Sequence, residues 1–151
     1  MAASKDMFLD ENGKIKDNSN HEGLLSVGVL GTVAGLFLAH QKFGNLSWKQ
    51  LLEPAINLAE NGFPFSRSMI SFSEMLLNNK EKYFSTANVF LKKGTKAYQP
   101  EEILKQPDLA KTLKRIQKEG AAGFYQGKTA KFIVDYMKEN GGIITGKAVG
   151  H

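Results

Sequence analysis

The sequence predicts a mainly α-helical fold of about five helices with one or two short strands, and three observations carry that prediction. Residues 48–62, 107–120 and 127–142 each repeat apolar side chains at helical spacing and end on glycine or Asn-Gly. Strict apolar alternation occurs only briefly, at Leu25, Val27 and Val29, so little β-structure is expected. At 151 residues, 42% hydrophobic and 10% aromatic, the chain supplies one ordinary globular core and reads as a single segment, 1–151, with no internal domain boundary.

Residues 8–20 read as a polar loop with Asn12-Gly13 as its turn. The alternating residues Leu25, Val27 and Val29 predict a short buried strand, broken at Gly31. Thr32 is the expected N-cap of a helix burying Val33, Leu36, Phe37 and Phe43. The apolar run from Leu24 to Ala39 also raises a membrane span, and Gly31 and Gly35 have the spacing that packs such helices. A span needs about 20 apolar residues. This run has sixteen and includes Ser26 and Gly28, which favours the buried strand-turn-helix and no membrane span.

The next helix starts after Ser47, with Gln50 in capping-box position and Trp48, Leu51, Leu52, Ala55, Ile56 and Ala59 in register. Pro54 interrupts its hydrogen bonding at a cost of about 3 kcal/mol. The apolar register passes through Pro54 unbroken, so a continuous, kinked helix is expected, closed by Gly62. A weaker helix follows over 67–79, where Met69 and Met75 read as core filler beside Ile70, Phe72 and Leu76. Residues 80–105 read as a loop with short extended pieces. Pro107 and Asp108 suit a first helical turn, with Leu109, Leu113 and Ile116 as the inner stripe and Gly120 as the stop. The last helix, 127–139, buries Ala130, Ile133, Val134 and Met137 ahead of the short apolar pair Ile143-Ile144.

Net charge is +5, but the basic residues do not cluster. Lys111, Lys114, Arg115 and Lys118 share a segment with Asp108 and Glu119, and Lys128, Lys131 and Lys138 lie near Asp135 and Glu139. This is a solvated helix face rather than a phosphate-tracking stripe, so no nucleic-acid partner is expected. The absence of cysteine excludes disulfides, thiolate zinc sites and a cysteine nucleophile. The opening residues, with no apolar core and several acidic side chains, carry no targeting signal.

The chemistry-bearing motifs fail on spacing. Gly127-Lys128-Thr129 looks like the end of a phosphate loop, but Gly123 is one residue too close to Gly127 and Ala122 stands where the first glycine belongs. His21, His40 and His151 are far apart and joined by no carboxylate in a ligand pattern, and His40 reads as a helix-surface residue. Glu101 and Glu102 are adjacent in a loop, where their side chains diverge as solvated charges. No serine sits in a nucleophile elbow. The expectation is therefore no catalytic, cofactor-binding or metal-binding residue, and no cofactor.

Read in order, VGVLGTVAGL (27–36), WKQLLEPAINLAENGF (48–63), QPDLAKTLKRIQKEGAAGFYQG (106–127) and ENGGIIT (139–145) resemble the large subunit of γ-glutamyltranspeptidases, with AASKDMFLDENG (2–13) similar to the segment preceding them. Leu30 departs from the family's usual proline, and GKAVGH (146–151) departs from its acidic continuation. The resemblance implies a helical part of an αββα N-terminal nucleophile hydrolase, made as a precursor that cleaves itself into large and small subunits. In that family the new N-terminal threonine attacks the γ-glutamyl amide of glutathione-like substrates, and the acyl group passes to amino acids or water. Thr32, Thr86, Thr95, Thr112, Thr129 and Thr145 all lie outside the family's cleavage motif, and the arginine that grips the substrate is expected upstream of the first residue.

The resemblance thus implies a segment that supports a site rather than containing one, inactive alone. Its expected partners are the rest of the large subunit and the small subunit, with glutathione-like substrate only in the full enzyme. It also implies a periplasmic or secreted location. Without the core strands, the apolar face from Leu25 to Phe37 is expected to drive self-association or loose folding. The competing expectation is a free-standing basic helical binding module without catalysis.

Overall fold

A computed structural model of the chain describes residues 3–150. The helices are α1 (Thr32–Phe43), α2 (Trp48–Asn61), α3 (Ile70–Asn78), α4 (Phe84–Phe90), α5 (Pro107–Glu119), α6 (Ala122–Tyr125), α7 (Gly127–Glu139) and α8 (Gly146–Val149). Strands β1 (Phe63–Pro64) and β2 (Ile103–Leu104) pair antiparallel, with Phe63 opposite Leu104. The fold is mainly helical, as expected, but with more helices than five. The stretch read as loop contains α4, and α6 and α8 are single turns too short to show a period.

The described chain divides into two compact units, one formed by the residues up to Trp48 together with Arg115 onward, the other by Lys49–Lys114. Both boundaries fall inside helices, α2 and α5, where no linker composition marks them.

In the first unit, Ala130, Met137, Ile144 and Val149 form the buried centre. The expected strand at 25–29 is instead a 3-10 turn, Leu24–Ser26, followed by extended chain. An alternating run becomes a strand only beside an edge that takes its backbone groups. Here the residues packing inward are Leu24, Val27 and Leu30, while Val29 is exposed. Leu30 is thus held by its side chain against the core.

Helix α1 differs from expectation at its cap and in its burial. Gly31 occupies the N-cap position and Thr32 is the first helical residue. The hydroxyl of Tyr125 accepts from the free Ala34 N–H at 3.1 Å, which satisfies one of the donors a threonine cap would have taken. Val33 and Phe37 are half-buried, but Leu36 is 61% and Phe43 81% exposed. Phe37 packs edge-on against Trp48 at 5.0 Å. It also fills the space beside Gly120, where a Cβ would lie 2.6 Å from the phenyl tip. Gly120 also needs its positive φ of 62° to end α5, so conformation and space both require glycine there. The Trp48 indole N–H donates to the Ile116 carbonyl at 2.9 Å, anchoring the first residue of α2.

In the second unit, α2 runs unbroken through Pro54 and buries Ile56 and Ala59. Gly62, at φ 92°, ends it, and the Gln106 N–H bonds the Ala59 carbonyl at 2.8 Å to start α5 beside it. The inner face of α5 there is Ala110, fully buried, while Leu109 is exposed, one position off the expected stripe. In α3, Ser73 and Leu76 are buried, whereas Phe72 and Met75, read as apolar core residues, are 37% and 41% exposed, with Phe72 packed edge-on against Phe90. Leu76, Ala87 and Leu91 form a cluster with Tyr83 and Phe90 that brings α3 and α4 together. Phe65 is fully buried and stacks on Tyr98 at 5.1 Å.

Candidate functional site

A buried polar junction lies where α5, α6 and α7 meet, in the stretch that carries the phosphate-loop look-alike. Thr129, in the first turn of α7, is buried. Its Oγ1 donates to the Gly123 carbonyl at 2.8 Å and accepts from Arg115 Nε at 2.8 Å. The hydroxyl's single proton is thereby committed to a backbone carbonyl and a lone pair to a guanidinium. Gly123 permits the contact because a Cβ there would strike the Arg115 carbonyl. Lys128, the neighbouring residue of the look-alike, lies over the Phe132 ring at 5.5 Å. The lysine and the threonine serve different neighbours, and the element preceding the turn is α6 rather than a strand. The arrangement joins three helices and does not cradle a phosphate.

The adjacent glutamates have unequal roles. Glu101 is exposed and sits at φ 66°. Glu102 accepts from the Gln99 N–H at 2.6 Å and from Lys92 Nζ at 2.9 and 2.8 Å. The backbone N–H first, and then the Lys92 ammonium, hold its carboxyl below the usual carboxylate range. A general acid needs the opposite shift, so this carboxylate is a brace for the 92–102 turn.

His40 is not a bare surface residue. Its Nε2 is 2.8 Å from the Leu46 carbonyl and its ring tilts against Trp48 at 5.1 Å. His21 lies on the exposed loop, and His151 lies outside the described residues. Among the described residues no three His, Cys, Asp or Glu side chains gather to hold a metal.

The basic faces are interleaved with carboxylates: Lys111 pairs with Asp108 at 2.9 Å, Lys114 with Glu60 at 2.6 Å, and Lys131 with Asp135. The threonines are likewise structural where their contacts are defined. Thr112 donates to the Asp108 carbonyl at 3.0 Å and Thr95 to the Lys92 carbonyl at 3.3 Å. A hollow of about 620 Å³ is an open groove along α2 beside Lys49, Glu53 and Pro54, without converging polar groups from a second element. No described helix is long and apolar enough to cross a membrane.

Sequence reasoning rejected the phosphate loop but missed the Arg115–Thr129–Gly123 junction. The signal available for it was the pair of glycines, Gly120 and Gly123, between two strongly periodic helices. That pattern marks close backbone approach, though it does not say to what.

Residues 1–148 match the family model described as Gamma-glutamyltranspeptidase. The chain is 40% identical over 146 residues to the glutathione hydrolase proenzyme of Pseudomonas aeruginosa, covering 95% of this chain and 25% of that protein. It is 42% identical over 148 residues to the glutathione hydrolase proenzyme of Bacillus subtilis, covering 96% and 24%. Among solved structures it superposes on the γ-glutamyltranspeptidase of Helicobacter pylori with a TM-score of 0.93 at 42% identity, covering 99% of this chain and 43% of that one. A cephalosporin acylase from Bacillus halodurans shares the fold at a TM-score of 0.76 and 25% identity over 84% of this chain. The chain spans about a quarter of the length of the curated relatives it matches.

Proposed function

Because the chain belongs to the γ-glutamyltranspeptidase family, we propose that it is a supporting helical part of the large subunit of an enzyme that transfers the γ-glutamyl group of glutathione-like substrates to amino acids or water. The observation that carries this reading is the end-to-end correspondence with the Helicobacter pylori enzyme, which covers 99% of this chain but 43% of that one. The reactive-looking side chains fit a supporting role: Thr129 is bound to Gly123 and Arg115, and Glu102 to Lys92. In this reading the nucleophilic threonine and the substrate-binding arginine come from the rest of the precursor. The working partners are the remainder of the large subunit and the small subunit, in a periplasmic or secreted enzyme. Kept alone, the chain self-associates through its exposed apolar surface.

The test is hydrolysis of a chromogenic γ-glutamyl amide by the 151-residue chain alone and by a chimera in which it replaces the matching segment of the Helicobacter pylori enzyme. The expected result is turnover by the chimera and none by the chain alone. Turnover by the chain alone, or a folded chimera without turnover, overturns the proposal.

A further inference from the structure

The chain carries three Asn-Gly steps, Asn12-Gly13, Asn61-Gly62 and Asn140-Gly141. In such a step no side chain on the second residue blocks its nitrogen from the asparagine carboxamide, so the pair can close into a five-membered ring. Closure needs a carboxamide free to turn and a glycine N–H that can leave its hydrogen bond. The structure treats the three steps differently. Asn61 is the last residue of α2, and the Gly62 N–H donates to the Leu58 carbonyl at 2.9 Å. Strand β2 lies against that glycine: a Cβ on it would strike Ile103 Cγ2 and lie 2.9 Å from the Leu104 carbonyl oxygen. Asn140 is exposed, but its side-chain amide and its backbone N–H both donate to the Tyr136 carbonyl, at 2.9 and 3.1 Å. The Gly142 N–H then closes that turn on the Met137 carbonyl at 2.7 Å.

The Asn12-Gly13 step has neither restraint. Both residues are exposed, a Cβ at Gly13 would meet nothing within 4 Å, and the Asn12 carboxamide has no hydrogen-bond partner among the described residues. Asp10 Oδ1 accepts from the backbone N–H of Asn12 and of Lys14, each at 2.9 Å, and so holds the turn without holding the carboxamide. The Gly13 N–H donates to the Asp10 carbonyl at 3.1 Å, a surface turn bond of the kind that opens at little cost. We propose that Asn12 is a self-modification site, converted by water through a succinimide into aspartate and isoaspartate, while Asn61 and Asn140 persist in the folded chain. The Gly13 nitrogen gives up its proton to base and bonds Asn12 Cγ, and the carboxamide nitrogen leaves with a proton as ammonia. Water then opens the ring. Cleavage of the bond from nitrogen to Cγ leaves an aspartate on an unaltered backbone, whereas cleavage at the backbone carbonyl routes the chain through the side chain as isoaspartate. No electrons are transferred, and water is the only co-reactant. Either product sets a new carboxylate beside Asp10 and Glu11 and lowers the net charge of +5 by one. The isoaspartate also inserts a methylene into the loop closed by the Asp10 N–H on the Lys14 carbonyl at 2.8 Å, which is the contact it strains. Its exposed carboxylate is of the class methylated by S-adenosylmethionine-dependent enzymes. The chemistry is independent of any γ-glutamyl activity.

The test is a time course of the 151-residue chain in mildly alkaline buffer, folded and in denaturant, with the three steps read by peptide mapping and mass spectrometry. In the folded chain Asn12 is expected to lose its carboxamide at least about tenfold faster than Asn61 or Asn140, and in denaturant the three rates should come within about threefold of one another. The product at position 12 should take up label from heavy-oxygen water, and part of it should accept a methyl group from labelled S-adenosylmethionine with an isoaspartyl methyltransferase as probe. Asn12→Gln lengthens the carboxamide by one methylene, which disfavours the five-membered ring, and should stop the acidic species from accumulating on isoelectric focusing. Equal rates at the three steps in the folded chain would overturn the inference, as would conversion of Asn61 or Asn140 ahead of Asn12. An acidic species that forms at the wild-type rate in Asn12→Gln, or a product at position 12 with no isoaspartate, would also overturn it.

Discussion

Helices α1 and α7 are nearly equal in length, twelve and thirteen residues, lie in the same compact unit, and use their apolar residues in opposite ways. In α7, Ala130 and Met137 are buried, Ile133 and Val134 half-buried between them, and Lys131, Lys138 and Glu139 take the solvent side. In α1 no residue is buried, although the helix holds more apolar side chains for its length. The hydrophobic pattern of α7 is met by burial at Ala130 and Met137, although Phe132 and Tyr136 stay exposed, whereas α1 fully buries none of its apolar residues. Whether pattern and burial agree therefore separates a helix that builds this chain's own core from one that contributes little to it.

The largest effect expected from breaking this contrast is at Met137. Met137→Ala removes most of a buried side chain between Ala130 and Ile144 and should cost about 2–5 kcal/mol by denaturant unfolding of dilute protein. If it costs no more than an exposed substitution in α1, the two helices are not different in kind. Next comes Gly123→Ala, which drives a methyl group into the Arg115 carbonyl at the turn leading to α7. Backbone cannot move aside as a flexible side chain does, so a loss of about 1–3 kcal/mol is expected. Thr129→Val keeps shape but removes the hydroxyl shared by Gly123 and Arg115, and should cost about 1–2 kcal/mol. A rescue by Thr129→Ser would show that the hydroxyl rather than the methyl group holds α7 in place.

A smaller, electrostatic effect is expected in the other unit at Glu102. Its folded-state carboxyl is held below the ordinary range by the Gln99 N–H and Lys92, so its contribution is present above that range and is lost as pH falls through the folded value. Glu102→Gln should therefore melt below wild type at neutral pH, with the gap closing in acid. Because both partners are partly exposed, solvent keeps this gap small. A gap that widens in acid would mean the carboxyl is held as its neutral form.

The sequence made α2, α5 and α7 legible because each combines a long apolar period with a start and a stop: Ser47 and Gly62, Pro107 and Gly120, the turn at Gly127 and Asn140-Gly141. Helix α4 was illegible because FSTANVF is seven residues long, with aromatic and β-branched side chains whose local preference is not helical. Tertiary contacts of Ala87 and Leu91 with Leu76 decide its state. The strand expected at 25–29 failed for the converse reason, since local alternation was present but the described chain offers it no pairing edge. At the candidate site, residue spacing was enough to reject a phosphate loop. The junction of Arg115 with Thr129 depends on how α5 and α7 meet, which spacing does not encode.

The burial of α1 is where sequence and structure part most usefully, because Leu36 and Phe43 are core residues by pattern and surface residues in the structure. A core position loses packing when truncated, whereas an exposed one has little to lose, and Ser and Phe have similar helix propensity. In the chain alone, Phe43→Ser is therefore expected to change unfolding free energy by no more than about 0.5 kcal/mol. It should at the same time lower self-association measured by light scattering, since it removes one of the most exposed apolar side chains on the molecule. A loss comparable to that of Met137→Ala would place Phe43 in the chain's own core and remove the distinction between the two helices. A null effect on stability with reduced association would place Phe43 on a surface through which copies of this chain associate rather than in its core.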